Sequence, residues 1–190
     1  MTEKNKNLAL WNRVQTTNPR YAKEFTKPGG FKGTAISAHY RIQMATEQFG
    51  PIGIGWGYEE VEHLIAEGVW MSKVKLWYKL DGERGEVVQW GATQLVQNRK
   101  GSEFVDEDAA KKSITDGVTK CLSLLGFNAD IHMGKWEDDE YYQWAKEKAK
   151  RDEREGRDGG QGDAPAPSDQ QPPAQQQASP PAAGAPPAGQ

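Results

Sequence analysis

The chain has 190 residues, 24 basic and 27 acidic side chains, one cysteine, and an apolar fraction of only 36%. That length allows one domain, or one domain with a tail. The lone Cys121 excludes an internal disulfide framework and a multi-cysteine zinc site, and suits a reducing compartment. No apolar run approaches a membrane span, and the opening MTEKNKNLAL lacks the apolar stretch of a secretion signal. A soluble protein with no membrane partner is expected, cytoplasmic by default and in the host cytoplasm if phage-encoded.

The apolar deficit is local. After Trp144 no aromatic, methionine or branched aliphatic residue occurs. Residues 156–190 are Ala, Pro, Gln and Gly with a few Asp and Ser and one Arg, a composition that buries too little apolar surface to offset its ordering entropy. Three parts are expected: a folded domain over 1–136, a charged helix over 137–155, and a disordered tail over 156–190. Charge is equally uneven. From Met1 to Arg41 there are eight basic and two acidic residues, while Ile42 to Ser72 carries five Glu and no Lys or Arg. A basic first fifth is compatible with a polyanionic partner whatever the net charge of −3, because phosphate affinity depends on local patches.

Leu8, Trp11 and Val14 suggest a short first helix. Asn18-Pro19 and Lys27-Pro28-Gly29-Gly30 are turn signals on either side of the basic, aromatic stretch RYAKEFTK. Ser37 reads as an N-cap, and Ala38, Ile42, Ala45 and Phe49 form one face of a helix that ends at Gly50-Pro51. Three strands follow, Trp56 to Ile65, Trp70 to Leu80 and Glu86 to Val96, the last two joined by a loop over Asp81–Gly85. In the second strand Val74, Leu76, Tyr78 and Leu80 alternate with Lys73, Lys75, Trp77 and Lys79, and the lysine face is expected to meet solvent. Asp106 or Asp108 can cap a helix running to Leu125 and stopped by Gly126. Its apolar sector is Ala110, Ile114, Val118, Cys121, Leu122 and Leu125, with Lys112, Thr115, Asp116, Thr119, Lys120 and Ser123 opposite. Gly117 in mid-helix costs about 1 kcal/mol relative to Ala, so a close approach is expected there. A last helix over Asp138–Arg154 has acids in its first turn and is expected to project from the body. The order α-α-β-β-β-α-α defines an α+β fold: a three-stranded antiparallel meander packed with helices.

Catalytic chemistry has little support. Lys27-Pro-Gly-Gly-Phe-Lys-Gly-Thr34 lacks the order of a nucleotide-binding P-loop. His39, His63 and His132 have no partner at metal-ligand spacing. Cys121 sits on an apolar face, where a thiol behaves as a small hydrophobe. No cofactor, metal or catalytic residue is expected.

Two segments carry a resemblance. SAHYRIQMATEQFGPIGIGW (Ser37 to Trp56) is a helix entering a Phe-Gly turn and a Gly-rich approach to a Trp-bearing strand. DAAKKSITDGVTKCLSLLGFNADIHMG (Asp108 to Gly134) has Thr115-Asp116-Gly117 in mid-helix and a Leu-Gly stop. In this order, separated by a three-stranded meander, they resemble the Rad-fifty-two-like superfamily of single-strand annealing proteins, most of all its small bacteriophage branch. The similarity covers roughly Leu8 to Tyr142.

The resemblance implies a homo-oligomeric ring or helical filament that binds single-stranded DNA in a basic groove. It implies ATP-independent annealing of complementary strands in recombination and repair, with single-stranded DNA and the annealed duplex intermediate as partners. In the family an Arg stands at the position of Tyr40, and Arg41 is next to it. Lys120 matches a basic residue of the family's central helix, whereas Thr119 and Ser123 stand where further bases are found. Lys111, Lys112, Arg99 and Lys100 could compensate, and Lys27 and Lys32 complete the expected DNA-binding set. For Tyr40, Trp77 and Trp56 packing in a core or subunit interface is the competing role. The alternatives to annealing are a general single-strand-binding or loading protein, a metal-dependent nuclease, and a purely structural assembly protein. The acidic, Pro- and Gln-rich tail suggests a tether for a host replication or single-strand-binding protein, with a solubilising role as the alternative.

Overall fold

The computed structural model of the chain describes residues 6–26, 29–30, 32–99 and 102–158; Lys27, Lys100 and residues 159–190, most of the expected tail, lie outside the described residues. The architecture is α+β, as expected. A three-stranded antiparallel sheet, β3 (Trp56–Ala66), β4 (Val69–Leu80) and β5 (Glu83–Gln94), has the strand order β3-β4-β5. Helices α2 (Ala38–Phe49) and α3 (Ala109–Leu124) pack on it, and α1 (Ala9–Val14) joins the same core through Val14. The short α4 (Ala129–His132) and the long α5 (Asp139–Asp158) complete the chain.

Two hairpins interrupt the expected order. RYAKEFTK contributes to β1 (Ala22–Thr26), which pairs antiparallel with β2 (Lys32–Ile36), Ala22 lying opposite Ile36. A second hairpin, β6 (Val96–Arg99) with β7 (Ser102–Val105), stands between the sheet and α3. Their sequences lack apolar alternation because neither hairpin has a core face: β1 exposes four of its five residues, and β7 all four. The third meander strand also starts earlier than expected. Asp81 and Gly82 both have positive φ, 52° and 86°, which completes a two-residue turn matched to strand twist. Glu83, Arg84 and Gly85 are therefore ladder partners of Leu80, Lys79 and Tyr78 rather than loop.

Helix α3 crosses the inner face of β4 and β5. Its most buried positions are Ala109, Ser113, Gly117, Val118, Cys121 and Leu122, a stripe rotated from the expected sector toward small residues. The reason is the closeness of the two backbones. A Cβ on Gly117 would lie 2.5 Å from Val74 Cγ2, and one on Gly91 would lie 1.9 Å from the Ser113 carbonyl oxygen. Ser113 Oγ donates to the Gly91 carbonyl at 3.1 Å, so the seam also satisfies its polar atoms. Ala110, Ile114 and Leu125, expected in the apolar sector, are only half-buried and flank this seam.

The core joins Val14, Met44, Phe49, Trp56, Val74, Leu76, Val118, Leu122 and Phe127. Ser37 stands at the N-cap of α2 but makes no side-chain capping bond, and Asp108 does the same for α3. Asp106 instead braces the α3 start, its Oδ1 accepting from Asp108 N at 3.1 Å. The last helix does not project freely from its first turn. Ala145 is buried, and the Tyr141 hydroxyl donates to Asp130 at 3.1 Å. Among the described residues no helix is long and apolar enough to cross a membrane.

Candidate nucleic-acid interface

A groove runs between the start of α2 and the outer side of α3. Ile36 and Ala38 form one wall, and Lys111, Lys112, Thr115 and Thr119 line the other; its volume is about 380 Å³. At its inner end lies a smaller cavity of about 20 Å³, roughly the size of one water, lined by Arg41, Tyr58, Thr115 and Thr119 among others. Helical periodicity explains the arrangement. Thr115 and Thr119 are one turn apart on α3, while Arg41 follows Ala38 by three residues on α2.

Arg41 is only 6% exposed. Its Nε donates to Asn128 Oδ1 at 3.1 Å, and Asn128 is itself fixed by donating to Thr17 Oγ1 at 3.0 Å. Asn128 adopts the left-handed conformation at φ 57°, which aims its amide inward from the α3–α4 connection. The Arg41 Nη groups make no hydrogen bond to any described residue. Among the described residues no fully buried side-chain nitrogen or oxygen lacks a partner, and Arg41 is one of the residues that line the small cavity. Burial pulls the guanidinium down to about 10, with nearby Asp116 acting in the opposite direction. It remains cationic at neutral pH, with N–H donors left over.

Tyr40 faces away from this groove. Its ring stacks on Tyr21 with centroids 4.3 Å apart, its hydroxyl accepts from Asn18 N at 3.3 Å, and burial pushes it up to about 12. It lines a separate crevice between α2 and α5, with Arg20, Lys148 and Glu153. Of the two neighbours, Arg41 is the one that lines the small cavity beside the α2–α3 groove.

The α3 lysines do point outward, but each carries a carboxylate partner. Lys111 pairs with Asp108 at 2.7 Å, Lys112 with Asp106 at 2.6 Å, and Lys120 with Asp116 at 2.8 Å. The bond to Asp108 raises Lys111 above its ordinary value. Asp108 and Asp116 themselves line the groove. The structure thus brings Lys111 and Lys112 to one groove and Arg41 to the small cavity adjoining it, with Lys120 beside the groove through Asp116. Lys32 is exposed at the start of β2, four residues from the groove-lining Ile36. Arg99 ends β6, and Lys27 and Lys100 lie outside the described residues.

Thr115 was legible as part of the Thr115-Asp116-Gly117 motif and Thr119 as a position where the resemblance puts a base, but neither was expected to line a groove. Asp106 and Asp108 were legible as caps and Asp116 as part of the Thr115-Asp116-Gly117 motif, but none of the three as a lysine partner. Trp56 is fully buried, donating from Nε1 to Thr46 Oγ1 at 3.3 Å. Trp77 lies on the outer face of the sheet beneath the Arg84 guanidinium, 4.7 Å from ring centroid. Neither borders the groove. Cys121 is buried in the α3–sheet seam, and burial pushes its thiol up to about 11, far from a reactive thiolate. Among the described residues no three His, Cys, Asp or Glu side chains are grouped to hold a metal. No family model matches the chain, and no curated protein matches it.

Proposed function

We propose that the protein binds single-stranded DNA through its sugar-phosphate backbone and anneals complementary strands without nucleotide, as a homo-oligomer. The observation that carries this reading is Arg41: a buried cation whose Nη groups make no hydrogen bond to any described residue, lining a small cavity that shares Ala38, Thr115 and Thr119 with the lysine-bearing groove. Keeping a guanidinium buried without a carboxylate in hydrogen-bond contact is unfavourable unless an anion completes it. A phosphate oxygen entering the small cavity supplies that anion, and a guanidinium matches its geometry.

Backbone capture suits annealing for a simple reason. The base edges must stay free to pair, so the hold has to come from phosphates rather than from aromatic sandwiching. The groove fits this requirement, since no aromatic side chain lines it and the adjoining small cavity has one, Tyr58. Oligomerisation supports the same chemistry, because one modest groove per subunit becomes many linked sites along one strand. The outer face of the sheet offers a surface for it. Leu64, Val88 and Trp90 are exposed there, next to cross-strand pairs of Lys73 with Glu62 and Lys75 with Glu59 that already satisfy their charges.

The test is the pairing rate of complementary oligonucleotides in the absence of nucleotide. Acceleration above the spontaneous rate is expected, and the Lys111→Glu, Lys120→Glu double variant is expected to lose both retention and acceleration. A protein that slows spontaneous pairing is a protector, and one that shortens its substrate with magnesium is a nuclease; either result overturns annealing.

A further inference from the structure

Resting on the DNA-binding reading, we infer that Asp108 and Asp116 are built-in counter-anions of the groove, which occupy the lysines until a phosphate replaces them and thereby limit how tightly a strand is held. The geometry is consistent along the helix. Lys111 is held by Asp108 and Lys120 by Asp116, at 2.7 and 2.8 Å, and both carboxylates belong to the groove lining. Lys112 is held by Asp106, which is buried and also accepts from Gln97 Nε2 at 3.2 Å, so that aspartate serves the fold as well. No such carboxylate closes on the Arg41 Nη groups, which make no hydrogen bond to any described residue.

The physical consequence is an exchange rather than a simple gain. When a phosphate takes a lysine Nζ, an aspartate is released close to another negative group, and the net electrostatic advantage falls. At about 5 Å in a solvent-exposed groove, one carboxylate against one phosphate opposes binding by about two- to fourfold, allowing for salt. The same pairs keep the ammonium groups over the groove in the absence of DNA, so positioning is retained while affinity is held down. A strand that must be surrendered to its complement benefits from such reversible capture. The single buried Arg41 then fixes one phosphate per subunit, and the lysines steady its neighbours loosely.

Neutralising the counter-anions separates this arrangement from ordinary surface pairing. Asp108→Asn is the clean variant: Asn serves equally well at an N-cap, and the Asp108 side chain makes no capping bond to lose. Asp116→Asn is the second. It keeps an oxygen for the Ala92 N–H, which donates to Asp116 at 2.9 Å. Measured with full-length protein and a fluorescent oligonucleotide at fixed salt, each variant is expected to bind about two- to fourfold more tightly, through slower dissociation. Strand pairing at saturating protein is expected to slow, because the bound strands are released less readily. Carboxylates that merely stabilise α3 would leave affinity unchanged or lower it. Unchanged or weaker binding by folded Asp108→Asn, with wild-type protein retaining DNA, overturns the counter-anion role alone. Wild-type protein that retains no oligonucleotide overturns the DNA-binding reading and this inference with it.

Discussion

Gly91 and Gly117 set how closely α3 can lie on the sheet, and each can be tested by adding a single methyl group. At Gly117 the new Cβ would meet Val74, a fully buried and rotamer-restricted side chain, at 2.5 Å. Ala improves intrinsic helix propensity by about 1 kcal/mol, but overpacking costs about 1–3 kcal/mol, so Gly117→Ala is expected to destabilise modestly. At Gly91 the obstacle is backbone, the Ser113 carbonyl oxygen and Gly117 N, which cannot rotate away. Gly91→Ala is therefore expected to lose more stability than Gly117→Ala in chemical denaturation, and the reverse order would mean that the seam is adjustable. The Gly117 requirement was legible because a glycine in mid-helix is unfavourable without a reason. The role of Gly91 was not, since a glycine in a strand has several readings. Arg41 shows the same limit. Its charge was visible in the sequence, but its burial depends on Asn128, 87 residues away in the chain.

At the level of elements, the C-terminal half is tied down by one carboxylate. Asp130 is fully buried and accepts from Thr17 N and Thr17 Oγ1, both at 2.7 Å, from Trp136 Nε1 at 3.0 Å and from the Tyr141 hydroxyl at 3.1 Å. This one side chain joins the α1–β1 connection to α4 and α5, and its partners cover all its lone pairs. Beside it, His132 is exposed on one side, and its partial burial first and the Arg41 charge second hold it below its ordinary value, with Asp130 opposing. The folded state thus prefers neutral His132, while the unfolded chain protonates it near its ordinary value of 6.5. The unfolded state binds more protons in that range, so stability is expected to fall as pH drops through 6.5 and below. Thermal melts of wild-type protein and His132→Gln should show that part of the acid-side loss disappear in the variant. Helices α2 and α3 and the meander were legible because each has a strong apolar period. The β1–β2 and β6–β7 hairpins were not, because a strand pair without a core face leaves no alternation in the sequence.

For the whole molecule, the unfinished surfaces matter most. A two-stranded hairpin is marginal in water unless something packs on it, yet β1 and β7 are almost wholly exposed. The sheet has the same property, because its inner face is covered by α3 whereas its outer face carries exposed Leu64, Val88 and Trp90, the last with the Lys73 ammonium over its ring. In the proposed oligomer, neighbouring copies cover this face, and the cross-strand ion pairs let charged residues enter the interface already partnered. Placing lysines at Leu64 and Val88 puts unpartnered charge where apolar surface would be buried, each site otherwise contributing about 1.5–3 kcal/mol. The Leu64→Lys, Val88→Lys variant should therefore sediment as a smaller species than wild type, with unchanged circular dichroism. Its individual groove stays intact, so it should still bind a short oligonucleotide while losing most of the acceleration of strand pairing. A variant that sediments as wild type does would remove the outer sheet face from the assembly. A monomeric variant that anneals at the wild-type rate would show that linked sites are not what makes pairing fast.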